Sequence, residues 1–254
     1  YTDCNGVAYN WVYTYTIAPP TVTLPAPGSS SVACTADAVA PAPPVVTDIC
    51  GRVITPSAPV VSADPVCTGT KTYSYVYTAC DGVAYNWVYT YTIAPTTLTM
   101  PPPGASTVAC PAEAVAPVPP AVFDNCGSLV TPPAPIVSAD PACAGTKTYT
   151  YIYADCDGDA YNWVYTYTIV PPTVTLPAPG ASTVACPADA VAPIPPAVTD
   201  NCGRVITPSA PVVSADPACA GTKTYTYTYT DCNGLAYNWT YTYTIAPPTV
   251  TLPA

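Results

Sequence analysis

The stretch "KTYTYTYTDCNGLAYNWTYTYTI" (223–245) alternates large and small side chains with a period of two on both sides of a Cys-Asn-Gly turn. Such alternation is the mark of strands with one buried face, and the two halves read as an antiparallel hairpin. Tyr225, Tyr227 and Tyr229 share one face of the first strand; Trp239, Tyr241, Tyr243 and Ile245 share one face of the second. The rings are expected to pack toward a core, while the β-branched threonines between them face water.

The same phrase occurs four times. Its cysteine falls at Cys4, Cys80, Cys156 and Cys232, a step of 76 residues each time, and everything between recurs with it. A period of that length is the size of a small domain, so separate beads are expected instead of stacked solenoid coils. The reading divides the chain into a hairpin fragment of a preceding copy (1–17), three complete repeats (18–93, 94–169 and 170–245) and a first-strand fragment of a following copy (246–254).

Upstream of each hairpin lie short segments such as "PTVTLP", "STVAC", "AVTD" and "RVITP", rich in Val, Ile and Thr and separated by Pro or Gly. No helical periodicity competes with them. About seven short strands per repeat predict an all-β fold, a tandem array of small immunoglobulin-like β-sandwiches. The prolines, 36 in all, are expected in connections and on edge strands, where they block sheet-to-sheet association.

Composition narrows the function. Histidine is absent and 15 acidic residues face 5 basic ones, so a nucleic-acid partner is excluded from the reading. No apolar run is long enough for a membrane-spanning helix. Without histidine, with the cysteines in sets of four and the carboxylates in recurring turns, no catalytic constellation can be assembled, and no enzyme is expected.

Each complete repeat carries four cysteines: Cys34, Cys50, Cys67, Cys80; Cys110, Cys126, Cys143, Cys156; Cys186, Cys202, Cys219, Cys232. Zinc would call for CxxC pairs or histidines, and neither occurs, so disulfides in an oxidising exterior are expected. Four cysteines allow three pairings. If "VAC" lies near the start of a second strand, B, a sandwich brings the first and third cysteines to one end and the second and fourth to the other. That predicts Cys34–Cys67 and Cys50–Cys80, then Cys110–Cys143 and Cys126–Cys156, then Cys186–Cys219 and Cys202–Cys232.

"ACPAD", "TDNCG", "GTKTYTYTYTDCNG" and "NWTYTYTI" together resemble the four-cysteine hyalin-repeat-like domain of secreted surface proteins of Bacteroidota. The resemblance covers all three complete repeats and both fragments. It implies an extracellular or cell-surface immunoglobulin-like module, arrayed in adhesins or surface filaments that often leave by a type IX secretion route. It supplies no catalytic residues. The residues it carries over are the cysteines, the glycines Gly51, Gly127 and Gly203, and the tryptophans Trp87, Trp163 and Trp239.

Three further patterns invite a site. "DCDGD" places Asp155, Asp157 and Asp159 at alternate positions, as in a calcium loop, but the copies read "DCNGV", "ACDGV" and "DCNGL", so a plain turn is preferred and no cofactor is expected. Asp48, Asp124 and Asp200, two residues before a cysteine, are expected to cap turns in preference to forming an acidic cluster. Trp87, Trp163 and Trp239 alternate in phase with an isoleucine and are expected in the core, with some of the many tyrosines left for contacts between beads or chains. The expected function is a structural filament or stalk whose partner is the protein itself. The alternative is an adhesin that binds glycans or surfaces.

Overall fold

The computed structural model describes residues 1–249; residues 250–254, and with them part of the segment 246–254, lie outside the described residues. The first repeat contains β1 (Gly28–Val32), β2 (Val46–Thr47), β3 (Val53–Ile54), β4 (Val60–Val61), β5 (Gly69–Thr78) and β6 (Ala84–Ile93). The second contains β7 (Gly104–Val108), β8 (Val122–Phe123), β9 (Leu129–Val130), β10 (Ile136–Val137), β11 (Gly145–Ala154) and β12 (Ala160–Ile169). The third contains β13 (Gly180–Val184), β14 (Val198–Thr199), β15 (Val205–Ile206), β16 (Val212–Val213), β17 (Gly221–Thr230) and β18 (Ala236–Ile245). Among the described residues the helical content is three single 3₁₀ turns, Thr35–Asp37, Pro111–Glu113 and Pro187–Asp189. The chain is all-β, with the sheets of small immunoglobulin-like domains.

In each repeat the long hairpin is the centre of a four-stranded sheet, ordered β1-β6-β5-β4 in the first copy, and a two-stranded ribbon, β2-β3, forms a separate small sheet. The hairpin register pairs Tyr75 with Trp87 and Tyr73 with Tyr89, so the rings stand opposite each other on one face. On the other face Thr226 and Thr240 hydroxyls lie 3.3 Å apart across the equivalent pair of strands. The segment "STVAC", read as strand B, is instead the first strand of its sheet and runs parallel to the last, Val184 beside Ile245. Among the described residues "PTVTLP" and its counterpart "TTLTMP" are held by single bridges, Val22–Asp48, Leu98–Asp124 and Val174–Asp200.

The chain divides into two compact units. One comprises residues 1–99, 122–130 and 154–159; the other comprises 100–121, 131–153 and 160–254. In the first unit the core gathers Ala38, Val46, Ile54, Tyr73, Tyr75, Tyr77, Trp87, Tyr91 and Ile93, with Tyr85 and Tyr89 packed against it. The second unit repeats this set around Tyr225, Tyr227, Tyr229 and Trp239. The rings meet edge-on or tilted, as between Tyr73 and Tyr91, the geometry that ring quadrupoles favour.

What makes a tyrosine core workable is the proline-rich segment opposite. Tyr73, Tyr75 and Tyr77 donate their hydroxyls to the carbonyls of Ala38, Pro41 and Pro44 at 2.6, 2.5 and 2.6 Å. Those acceptors are three residues apart, the spacing that an extended proline-rich helix returns to one side. A segment poor in N–H groups has surplus carbonyls, and phenols on every second residue of a strand supply the missing donors. Both later repeats keep the pattern, with Tyr153 bonded to Pro120 and Tyr229 to Pro196. Every tyrosine of the first complete repeat is therefore buried or half-buried in its own repeat.

The tryptophans are buried as expected, each donating its indole N–H to a backbone carbonyl: Trp87 to Ala26, Trp163 to Pro102 and Trp239 to Ala178, all at 3.0 Å. The fragment 1–17 behaves differently from 84–93 despite the shared words. Its turn closes, with Thr2 bridged to Ala8, but residues 9–17 form no strand and Trp11 is 70% exposed. A strand needs a partner ladder, which β5 provides for β6.

Candidate functional site

The cysteines meet in pairs, but the predicted pairings are not the ones formed. Cys34 is bonded to Cys126 and Cys67 to Cys156 within the first unit; Cys110 is bonded to Cys202 and Cys143 to Cys232 within the second. Each Cα–Cα distance is 5.5 or 5.6 Å, inside the range a disulfide requires. Cys34–Cys67, Cys110–Cys143, Cys126–Cys156 and the other intra-repeat pairs are thus replaced by bonds from one repeat to the next. The first and third cysteines of one copy bond the second and fourth of its successor.

The grouping by ends was correct; the partner was not. In the second unit all four cysteines, Cys110, Cys143, Cys202 and Cys232, line one cleft of about 250 Å³ together with Asp200 and Arg204. The pair from one repeat faces the pair from the next, and each sulfur bonds across the gap. Among the described residues Cys4, Cys50, Cys80, Cys186 and Cys219 are free and exposed, which rules out the predicted Cys50–Cys80, Cys186–Cys219 and Cys202–Cys232.

The turns that present these cysteines share one local design. In "DICGR", Asp48 accepts hydrogen bonds through Oδ1 from the backbone N–H of Cys50 and Arg52, at 3.0 and 2.9 Å. In "DCNGL", Asp231 does the same for Asn233 and Leu235, at 2.8 and 2.9 Å. The glycine at the fourth position has positive φ in both, +77° at Gly51 and +85° at Gly234, a conformation that suits glycine and strains other residues. So one turn phrase, D-x-x-G, carries its cysteine at the third position in one loop and the second in the other. Asp124 and Asp200 cap as Asp48 does. The acidic end cluster is therefore a set of turn caps.

Asp155 also caps its own turn, accepting from Asp157 N and Asp159 N at 3.1 and 2.8 Å. Asp157 instead reaches out: its carboxylate accepts from Thr68 Oγ1 at 3.1 Å and from Thr96 N at 3.0 Å. Asp155, Asp157 and Asp159 form no shared ligand set. The group close enough to share an ion among the described residues is Cys67, Cys156 and Asp157, and the two sulfurs there are bonded to each other. Thr96 belongs to the segment joining the repeats, so Asp157 ties that segment beside the staple. In the second unit Arg204 does related work, donating through Nη1 to Ala142 O at 3.0 Å.

Every basic side chain has a local acidic partner. Lys71, Lys147 and Lys223 contact Asp64, Asp140 and Asp216 at 2.7, 2.6 and 2.7 Å, and Arg52 and Arg204 lie beside Asp48 and Asp200. The hydrogen bond to Asp64 leads in holding the Lys71 ammonium above its usual range. What the sequence reading missed was the reach of each cysteine pair into the next copy.

Among the described residues no helix is long and apolar enough to cross a membrane. No curated protein matches the sequence. Solved structures similar to it include Protocadherin Gamma B2 extracellular cadherin domains 3-6, at 10% identity and TM-score 0.32, covering 90% of this chain and 73% of that one. The Protocadherin GammaB4 extracellular domain matches at 10% identity and TM-score 0.34, covering 90% of this chain and 49% of that one. The model of the HYR-like domain with 4 cysteines matches residues 22–93, 98–169 and 174–245. With four disulfides across three tandem repeats, the chain belongs to the family of HYR-like domains with four cysteines, three times over.

Proposed function

We propose that the protein is a structural component of an extracellular filament or stalk, built from these repeats in series. The observation that carries the reading is the pair of identical junctions. Each is closed by two disulfides as well as by the main chain, and nothing in a passive string of modules would need three covalent connections per joint. The joining segments also contain proline, which limits bending. The self-association that a fibre needs is part of the same proposal.

The adhesive alternative has less support. Rings that could stack on a sugar are occupied in the core, where Tyr73, Tyr75, Tyr77 and Trp87 are at most 7% exposed. In this reading binding to glycans or surfaces belongs outside the repeats. Negative-stain micrographs of the oxidised protein test the proposal: regular fibres or straight rods are expected, and flexible strings under all conditions would overturn it. A glycan array on the same material should be blank.

A further inference from the structure

We infer, on the structural reading above, that the staples make two covalent rails that carry tension past the folded repeats, so that the array cannot lengthen by unfolding. The inference follows from connectivity. In the second repeat Cys156 is bonded backward to Cys67 and Cys143 forward to Cys232. Tension entering at Cys156 therefore leaves at Cys143 after crossing only the intervening backbone. Likewise Cys126 is bonded backward to Cys34 and Cys110 forward to Cys202, which makes the segment 110–126 a second rail.

The rails are short. Residues 143–156 and 110–126 extend to about 47 and 58 Å at roughly 3.6 Å per residue, against about 270 Å for a whole 76-residue repeat. The first rail is also nearly taut in the folded state, because β11 (Gly145–Ala154) occupies ten of its residues as extended strand. At about 3.3 Å per residue the strand already spans roughly 33 Å, leaving slack on the order of 10 Å. Both rails run against the chain direction, so each repeat hangs its core on a strand that the load holds straight.

Force spectroscopy on the full chain, held at its two termini, tests this. In the oxidised protein the shortest covalent route is 1–34, 126–143 and 232–254, which crosses from the second rail's entry at Cys126 to the first rail's exit at Cys143, so the rails themselves are read from the variants below. Its length at full extension is roughly 260 Å, whereas the full backbone after reduction with dithiothreitol reaches about 900 Å. Cys126→Ser alone shifts the route through Cys67 and Cys156 and is expected to lengthen it to about 360 Å. Cys126→Ser with Cys156→Ser opens the first junction and gives about 590 Å. These lengths follow from the disulfides that remain, so each variant's pairing is verified by thiol titration and peptide mapping before it is pulled. Oxidised protein that extends to the reduced length, or variants that match the parent, would overturn the inference. A capped length from material that forms no fibres would keep the rails and refute the filament.

Discussion

Cys34 is bonded to Cys126, 92 residues away in the next repeat, and not to Cys67 of its own. Trypsin isolates Cys67 on the peptide 53–71, between Arg52 and Lys71. Non-reducing digestion is expected to hold 53–71, 148–204, 72–147, 1–52 and 224–254 in one disulfide-linked assembly and to release 205–223, whose Cys219 is free. Finding 205–223 bound to 148–204 through Cys219 and Cys186 would restore pairing within a repeat.

Each staple closes a loop of about 90 residues, for which the chain-entropy model gives about 4 to 5 kcal/mol. Replacing Cys110 and Cys202 together by serine should lower the unfolding free energy, read from urea titration, by about 2 to 5 kcal/mol. A variant as stable as the parent would show that the bond adds nothing to the folded state.

Tyr153 is fully buried and donates to Pro120 O at 2.6 Å. Tyr153→Phe keeps the ring and removes the donor, leaving a carbonyl of a proline-rich segment without its partner. A loss of about 1 to 2 kcal/mol is expected in chemical denaturation. An unchanged midpoint would mean that the carbonyl finds water instead.

Burial pushes the phenols of Tyr77, Tyr153 and Tyr229 above their usual value of 10.0, with neighbouring tyrosines adding to the effect. A group whose pKa is raised on folding gives stability that is fully present below its unfolded pKa and is lost as pH rises through the folded one. Stability should therefore hold level up to about pH 9 and fall above about pH 10, read from urea midpoints alongside tyrosinate absorbance. A flat profile to higher pH would exclude the phenols as obligatory donors.

Gly104 lies against the rings of Tyr165 and Trp163, and an added Cβ would run into Tyr165 and stand 3.2 Å from Trp163 Cζ2. Gly104→Ala is expected to cost about 1 to 3 kcal/mol and to change the near-ultraviolet signal of the buried indole. Unaltered stability and spectrum would mean that the strand backs away without loss.

The repeat length, the long hairpin, the inward rings and the capped turns were all legible along the chain. Each rests on interactions between near neighbours: alternation along one strand, a turn four residues long, an aspartate bonding amides two and four positions on. The tyrosine–proline correspondence was half legible, as two excesses in one composition with no stated connection. The pairing of cysteines was not legible, because a periodic sequence labels a residue by its position within the repeat and is silent on which copy supplies its partner. Tertiary structure alone decided that, by setting the two cysteines at one end of a repeat opposite the two at the facing end of the next, within bonding distance.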